Sequence, residues 1–255
     1  MNGTKQSKNA IGSVKDAILG LLFPPKCIHC KETLGFRSRE ALCEKCGELW
    51  QGELVSVCKD CFLPVEMCEC VPVTAGKSIK TAWHAVEYDP EKDNVTRSLI
   101  LTSKDHNYRF MYEHIAKTLD DTLHTHTKSL KNVVIAYVPR SPKKVKDTGI
   151  DQAKITARLL AKRSSTVCAD ALIRKGSISQ KSLDVEQRAK NARASYFANS
   201  KAIETIQGKT VILYDDVMTT GSTMAACADI LKAMGAHRVI CLTLARAYKK
   251  KRSDS

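Results

Sequence analysis

Short, nearly continuous apolar or β-prone runs occupy residues 79–88, 133–138, 211–214 and 238–244, with a briefer one at 171–174. Runs of this length bounded by turn residues predict strands buried on both faces. Between them the apolar positions recur at helical spacing, over 93–103, 108–119, about 149–161, and from Ser222 to about residue 233. Asp89-Pro90 turns the first strand, and Asp151 is placed to cap the third helix. Strands alternating with helices predict an α/β fold with a mostly parallel central sheet.

The amino-terminal part reads differently. Ile11, Val14, Ile18, Leu21 and Leu22 fall on one face of a short amphipathic helix that Pro24 and Pro25 end. Cysteines then take over: Cys27-x-x-Cys30 with Cys43-x-x-Cys46, and Cys58-x-x-Cys61 with Cys68-x-Cys70. Eight of the eleven cysteines fall within this stretch. Two thiolates of one tight turn can share a tetrahedral ion, and two such turns complete a four-cysteine site. The spacing predicts two structural zinc ions, holding a segment too short for a large core of its own. The ligands can pair in sequence order or interleave. His29, inside the first turn, reads as a loop residue. A Pro-, Thr- and Gly-containing stretch at 71–77 reads as a linker, so the chain divides into 1–76, a Cys-rich segment, and 77–255, the α/β unit.

Composition sharpens this in two ways. The formal net charge of +14 points to an anionic partner, nucleic acid or phosphorylated metabolites. No apolar stretch is long enough to span a membrane, and residues 18–23 lack the flanks of a signal peptide. A cytoplasmic location, where thiols stay reduced, fits metal-binding rather than disulfide-bonded cysteines. Cys168, Cys227 and Cys241 stand singly in apolar surroundings and read as buried small residues. His124 and His126 read as an exposed polar helix end. Gly76-Lys77-Ser78 and Gly208-Lys209-Thr210 imitate the end of a P-loop but lack its first glycine and its helix.

The candidate chemistry centres on residues 211–224. An apolar strand ends in Asp215 and Asp216, followed by Thr219, Thr220, Gly221, Ser222 and Thr223 and then a helix. Ligands of open α/β sheets bind beyond the strands' carboxyl ends. A glycine turn opening a helix offers backbone amides and a positive dipole end to a phosphate. Two carboxylates would repel that phosphate, so they suit the two hydroxyls of a ribose whose 5′-phosphate lies in the loop. The stretch resembles the phosphoribosyl-pyrophosphate (PRPP) loop of type I phosphoribosyltransferases.

Taken whole, residues 20–248 resemble the ComF family, through Leu21-Leu22-Phe23-Pro24-Pro25-Lys26-Cys27 with Cys30, Gly149-Ile150-Asp151-Gln152-Ala153, Gln180-x-x-Leu183 with Arg188 and Asn191, residues 215–223, and Leu244-Ala245-Arg246. The family commonly has Gly-Phe-Asn-Gln at 149–152 and Thr at Ser177, departures that bear on base or acceptor preference. The resemblance implies a type I phosphoribosyltransferase fold behind a zinc-binding segment. It implies PRPP held by Asp215, Asp216 and the 219–223 loop, with Arg140 toward the pyrophosphate, Mg²⁺ bridging its oxygens, and Arg188 supplied by a lid over about 175–184. Asp215, Asp216 and Arg188 are the catalytic candidates it gives. It also implies a role in natural competence, handling single-stranded or branched DNA beside competence helicase or recombination proteins. A metabolic transferase acting on a nucleobase or other small acceptor is the alternative.

Overall fold

The computed structural model describes residues 24–36, 38–68, 70–71, 79–175 and 194–247. The amphipathic stretch 11–22, most of the linker, Ser177, Gln180, Leu183, Arg188 and Asn191 lie outside them, as does the lid segment beyond Lys175.

In chain order the elements are α1 (Glu44–Glu53), β1 (Ala82–Tyr88), α2 (Val95–Asp105), α3 (Arg109–His126), β2 (Val133–Tyr137), α4 (Pro142–Thr148), α5 (Gln152–Arg163), β3 (Val167–Ala169), β4 (Leu172–Arg174), β5 (Tyr196–Ala198), α6 (Ile203–Ile206), β6 (Thr210–Met218), α7 (Ser222–Ala233) and β7 (Arg238–Ala247). Five strands form one parallel sheet in the order β1-β7-β6-β2-β3. β4 and β5 form a separate antiparallel pair.

The central stretches of β2, β6 and β7 are apolar because both faces are covered there. On β6, Ile212 and Tyr214 join one core cluster while Val211 and Leu213 join the other. β7 divides in the same way, Ile240, Leu242 and Leu244 against Val239 and Cys241. The first cluster is closed by α2, α3 and α5. On α3, Met111, Ile115, Leu119 and Leu123 recur every four residues and are buried. The second is closed by α7 through Met224, Cys227, Ala228 and Leu231.

The Cys-rich segment shares the first cluster: Cys27, Ile28, Leu42, Cys46 and Trp50 pack in it. Leu54 bridges Val86, and the Val55 amide donates to the Ala85 carbonyl at 2.9 Å. Together they cover the outer edge of β1, an otherwise unpaired row of backbone groups.

Several elements differ from the sequence reading. Residues 142–148, between the run at 133–138 and the helix expected from about 149, form α4, with Ser141 as N-cap, Pro142 in the first turn and Gly149 at φ 70° as C-cap. α3 runs on to His126, beyond the expected end near residue 119. His126 is not simply exposed, since its ring stacks on Trp83 with centroids 4.7 Å apart. Cys168 is half-buried on the short strand β3, whereas Cys227 and Cys241 are buried as expected.

Candidate phosphoribosyl-binding site and metal centres

β6 is central, and it continues past the last pairing with β2 at Tyr137–Tyr214 while staying paired with β7 as far as Met218–Arg246. Asp215 and Asp216 therefore lie within the strand, at the step where β2 turns away. Each carboxylate fastens locally. Asp215 Oδ1 accepts the Asp216 amide at 2.9 Å, and Asp216 Oδ1 accepts the Val217 amide at 2.8 Å. Asp216 Oδ2 is out of contact with solvent and makes no hydrogen bond, and Lys104 Nζ lies 3.6 Å from it. Burial, and next the negative charge of Asp216, push the Asp215 carboxyl well above the usual carboxylate range. Adjacent acids that are under-bonded and mutually repelling fit a partner that brings hydroxyl donors or positive charge.

The chain then turns through Thr219 and Thr220 to Gly221, at φ 79°, which opens α7 as its N-cap. A positive φ is readily available to glycine and costly for other residues. The Ser222 amide lies 3.4 Å from Thr220 Oγ1, and the Thr220 and Ser222 hydroxyls are 2.9 Å apart. Thr219 is exposed and Thr223 half-buried at the mouth of the turn. The structure thus brings 215–223 together as one strand–turn–helix unit, with carboxylates on one side and a hydroxyl-rich helix start on the other.

Arg140 is differently employed. Its guanidinium donates to the carbonyls of Lys104 and Ile150 and to Thr148 Oγ1, and its side chain is 8% exposed. A pyrophosphate contact would require it to leave these partners. In this arrangement it braces the end of α2, which places Lys104 beside Asp216. Lys104 is the site residue the sequence did not suggest. A lysine in the last turn of a helix ordinarily reads as a dipole-compensating surface group. Asp151 caps α5 through the Lys154 amide at 3.1 Å and also accepts the Arg140 amide at 3.3 Å. The Ile150-Asp151 departure from Phe-Asn therefore keeps an apolar core residue followed by a capping side chain.

A cleft of about 710 Å³ lies between the Cys-rich segment and the carboxyl end of β1, and none of residues 215–223 lines it. Its lining carboxylates already have partners: Glu53 accepts from Val95 N, Thr96 N and Thr96 Oγ1, and Glu87 pairs with Lys59. The chemistry concentrates at the β6 turn instead.

Eight cysteines form two groups in sequence order, Cys27, Cys30, Cys43, Cys46 and Cys58, Cys61, Cys68, Cys70. Within each, the sulfurs lie within 4.8 Å of one another. The tighter Cys68-x-Cys70 spacing closes its site as well as Cys-x-x-Cys does. His29 stays outside, with Nδ1 3.0 Å from Ser98 Oγ. Burial opposes ionisation of Cys27, but the amides of Cys43, Cys30 and His29 outweigh it and bring the thiol down to about 7. Burial and the neighbouring thiols push Cys46 far up, and Cys68 up to about 11. Four close thiols that cannot all ionise unaided suit a divalent ion that displaces their protons. Both groups can hold zinc.

Residues 145–255 match the phosphoribosyl transferase domain. The fold is accordingly the type I phosphoribosyltransferase fold, with its parallel central sheet. The match covers α5 to β7 and includes the β6 turn. The chain is also similar to a ribose-phosphate pyrophosphokinase of Wolinella succinogenes, 43% identical over 58 residues, covering 23% of this chain and 18% of the relative. The chain thus spans under a fifth of the length of that protein. Among solved structures it is similar to an allosteric regulatory enzyme of purine biosynthesis, at 18% identity and TM-score 0.36, covering 56% of this chain and 29% of the other. It is also similar to the glutamine PRPP amidotransferase of B. subtilis complexed with ADP and GMP, at 15% identity and TM-score 0.35, covering 61% and 28%. Among the described residues of the phosphoribosyl transferase domain and the rest of the chain, no helix is long and apolar enough to cross a membrane.

Proposed function

We propose that this chain binds PRPP with Mg²⁺ at residues 215–223 and transfers the phosphoribosyl group, as a ComF-type protein that handles DNA in natural competence. The observation that carries the reading is the Asp215–Asp216 pair within β6, where pairing with β2 has ended, before a glycine turn and helix start and inside the span that matches the phosphoribosyl transferase domain. The two carboxylates, with Asp216 Oδ2 lacking a hydrogen bond, accept the ribose 2′- and 3′-hydroxyls, and the turn from Thr219 to Thr223 takes the 5′-phosphate on backbone amides and hydroxyls. Bound Mg²⁺ would neutralise pyrophosphate oxygens and ease their departure. Lys104 holds Asp216 in place, and Arg140 holds Lys104. Catalysis in such a site is positioning plus stabilisation of charge at the anomeric carbon and the leaving group. Arg188, outside the described residues, is the further source of positive charge in this reading.

The ComF and DNA parts rest on the motifs quoted above and on the +14 net charge. Calorimetry with PRPP and Mg²⁺ tests the site, and pyrophosphate release against nucleobases and nucleic acid tests transfer. Titration of single-stranded and branched DNA across salt tests the partner, because phosphate contacts must weaken steeply as salt rises. No PRPP binding overturns the site reading. DNA binding that is absent at low salt, or indifferent to salt, overturns the competence reading.

A further inference from the structure

The second cysteine group sits on the carboxyl edge of the sheet. Lys59 and Asp60 occupy the positions between Cys58 and Cys61, and each grips a different strand. Asp60 Oδ2 accepts from Arg246 Nη2 of β7 at 2.5 Å, and Lys59 pairs with Glu87 of β1. Glu87 and Arg246 are partners in the β1–β7 register. Arg246 is also the register partner of Met218, the residue immediately before Thr219. The Arg246 side chain is 6% exposed, so this contact is made inside the protein. A short path therefore runs from a metal-holding turn, through Asp60 and Arg246, to the strand end that launches the 219–223 loop.

Backbone bonds close the turn, from the Phe62 amide to the Cys58 carbonyl and from the Cys58 amide to the Leu63 carbonyl, each 2.9 Å, and a sulfur joins them. The Asp60 amide lies 3.4 Å from Cys58 Sγ, and Phe62 holds φ 59°, a left-handed conformation unfavourable to a bulky side chain. Phe62 is 79% exposed, so packing does little to keep it there. The first group differs. Cys27 and Cys46 lie in the main core with Ile28, Leu42 and Trp50, so packing supports that turn, which also holds a positive φ at Lys31, 64°, and His29 Nδ1 lies 3.0 Å from Ser98 Oγ of α2.

The geometry points to the Cys58-Cys61-Cys68-Cys70 turn as a clamp on the phosphoribosyl loop, with Asp60 and Arg246 as positioning residues, so that metal in this turn and PRPP in the loop reinforce each other's binding. The inference rests on the PRPP reading of residues 215–223. Coupling of this kind is reciprocal, since each ligand must change the other's affinity by one factor.

Two measurements on the zinc-loaded full chain test it. In the first, calorimetry with PRPP and Mg²⁺ compares the parent with Asp60→Ala, each checked by thermal melt. The expected result is binding weaker by about 5- to 150-fold, the usual span of coupling between sites. In the second, the parent competes for zinc with a chromophoric chelator that ignores Mg²⁺, with and without saturating PRPP. One of its two zinc affinities should rise by the same factor. Unchanged PRPP affinity in Asp60→Ala overturns the clamp, as does a zinc competition that PRPP leaves unmoved or shifts equally for both ions. A parent that binds no PRPP overturns the site reading instead, a result distinct from all of these.

Discussion

Replacing Asp215 and Asp216 together by asparagine should make the free protein more stable and a much weaker binder of PRPP. The stabilising side follows from what the carboxylates do now. Each already uses Oδ1 to accept a backbone amide, at 2.9 and 2.8 Å, and an asparagine oxygen can keep both bonds. What is removed is charge. Burial and the charge of Asp216 hold the Asp215 carboxyl well above its ordinary range, so the ionised form is disfavoured in the folded state. The offsetting loss is the Lys104–Asp216 pair, 3.6 Å long with a lysine side chain 36% exposed, and such pairs contribute about 0–1 kcal/mol. Relief of strain at a binding site commonly gains about 0.5–2 kcal/mol. For a chain of this size that is roughly 1–8 °C in melting temperature.

The binding side runs the other way. A hydrogen bond to a charged group contributes about 1.5–3 kcal/mol, roughly twice a neutral one. Halving two ribose contacts together should cost at most about 1.5–3 kcal/mol, roughly 10- to 150-fold in affinity. The pH dependence gives an internal check. A folded carboxyl held above the ordinary value contributes stability that is present below that value and lost as pH rises through the folded one. The parent should therefore lose stability as pH rises above about 4, where a free aspartate ionises. The double variant should lack that component. Calorimetry with PRPP and Mg²⁺ beside thermal melts from pH 4 to pH 8, a range of about 4 units around neutrality, reads all three effects. A variant that melts lower and binds PRPP as the parent does would refute the reasoning, because the acids would then be structural.

Elemental analysis of protein purified without added metal should give two zinc ions per chain, and chelation should unfold the Cys-rich segment along with the core it shares; a value near zero sinks both sites. His84 and His114 are held neutral by burial, each with its imidazole lowered to about 4. A histidine lowered in the folded state costs stability as pH falls through the unfolded value, so denaturant midpoints should drop between about pH 6.5 and 4. His114→Phe should flatten part of that drop, and an unaltered profile would count against it. Glu53→Gln removes the charge from a carboxylate that receives three hydrogen bonds at the start of α2 and should cost about 1–3 kcal/mol in a urea titration, with little change in PRPP affinity.

The parts of the fold legible in the sequence are those decided by burial on both faces. β2 and the central parts of β6 and β7 are apolar runs, and α7 follows a glycine turn, so strand, acid pair and helix could be read in order. α4 was hidden because three lysines in one short helix erase the apolar stripe, although Ser141, Pro142 and Gly149 supplied its start and stop signals. β3 and β5 have three residues each, too few for a period to show. Asp120, Asp121 and His124 masked the continuation of α3, which Leu123 sustains by packing four residues beyond Leu119. Other contacts have no local signature at all. His126 on Trp83, Lys104 beside Asp216, and Asp60 with Arg246 join residues far apart in the chain, and only the closed fold brings them together.

The change of composition near residue 76 separates a stretch that carries both four-cysteine groups from one held by burial alone, while the core runs through both. Trp50, 1% exposed, belongs to the same cluster as Leu99, Ile115 and Leu242. Glu53 caps α2, residues 54–55 close the edge of β1, and Asp60 reaches the end of β7. These attachments come from consecutive parts of a short stretch and fall on β1, β7 and the helix between β1 and α3. The segment therefore does for this sheet what another helix would do elsewhere. A segment of that size could not bury enough surface to hold itself in place. Two four-cysteine groups able to hold metal supply a second means, and metal bound there would tie the stability of the sheet's outer edge to the redox and metal state of its thiols.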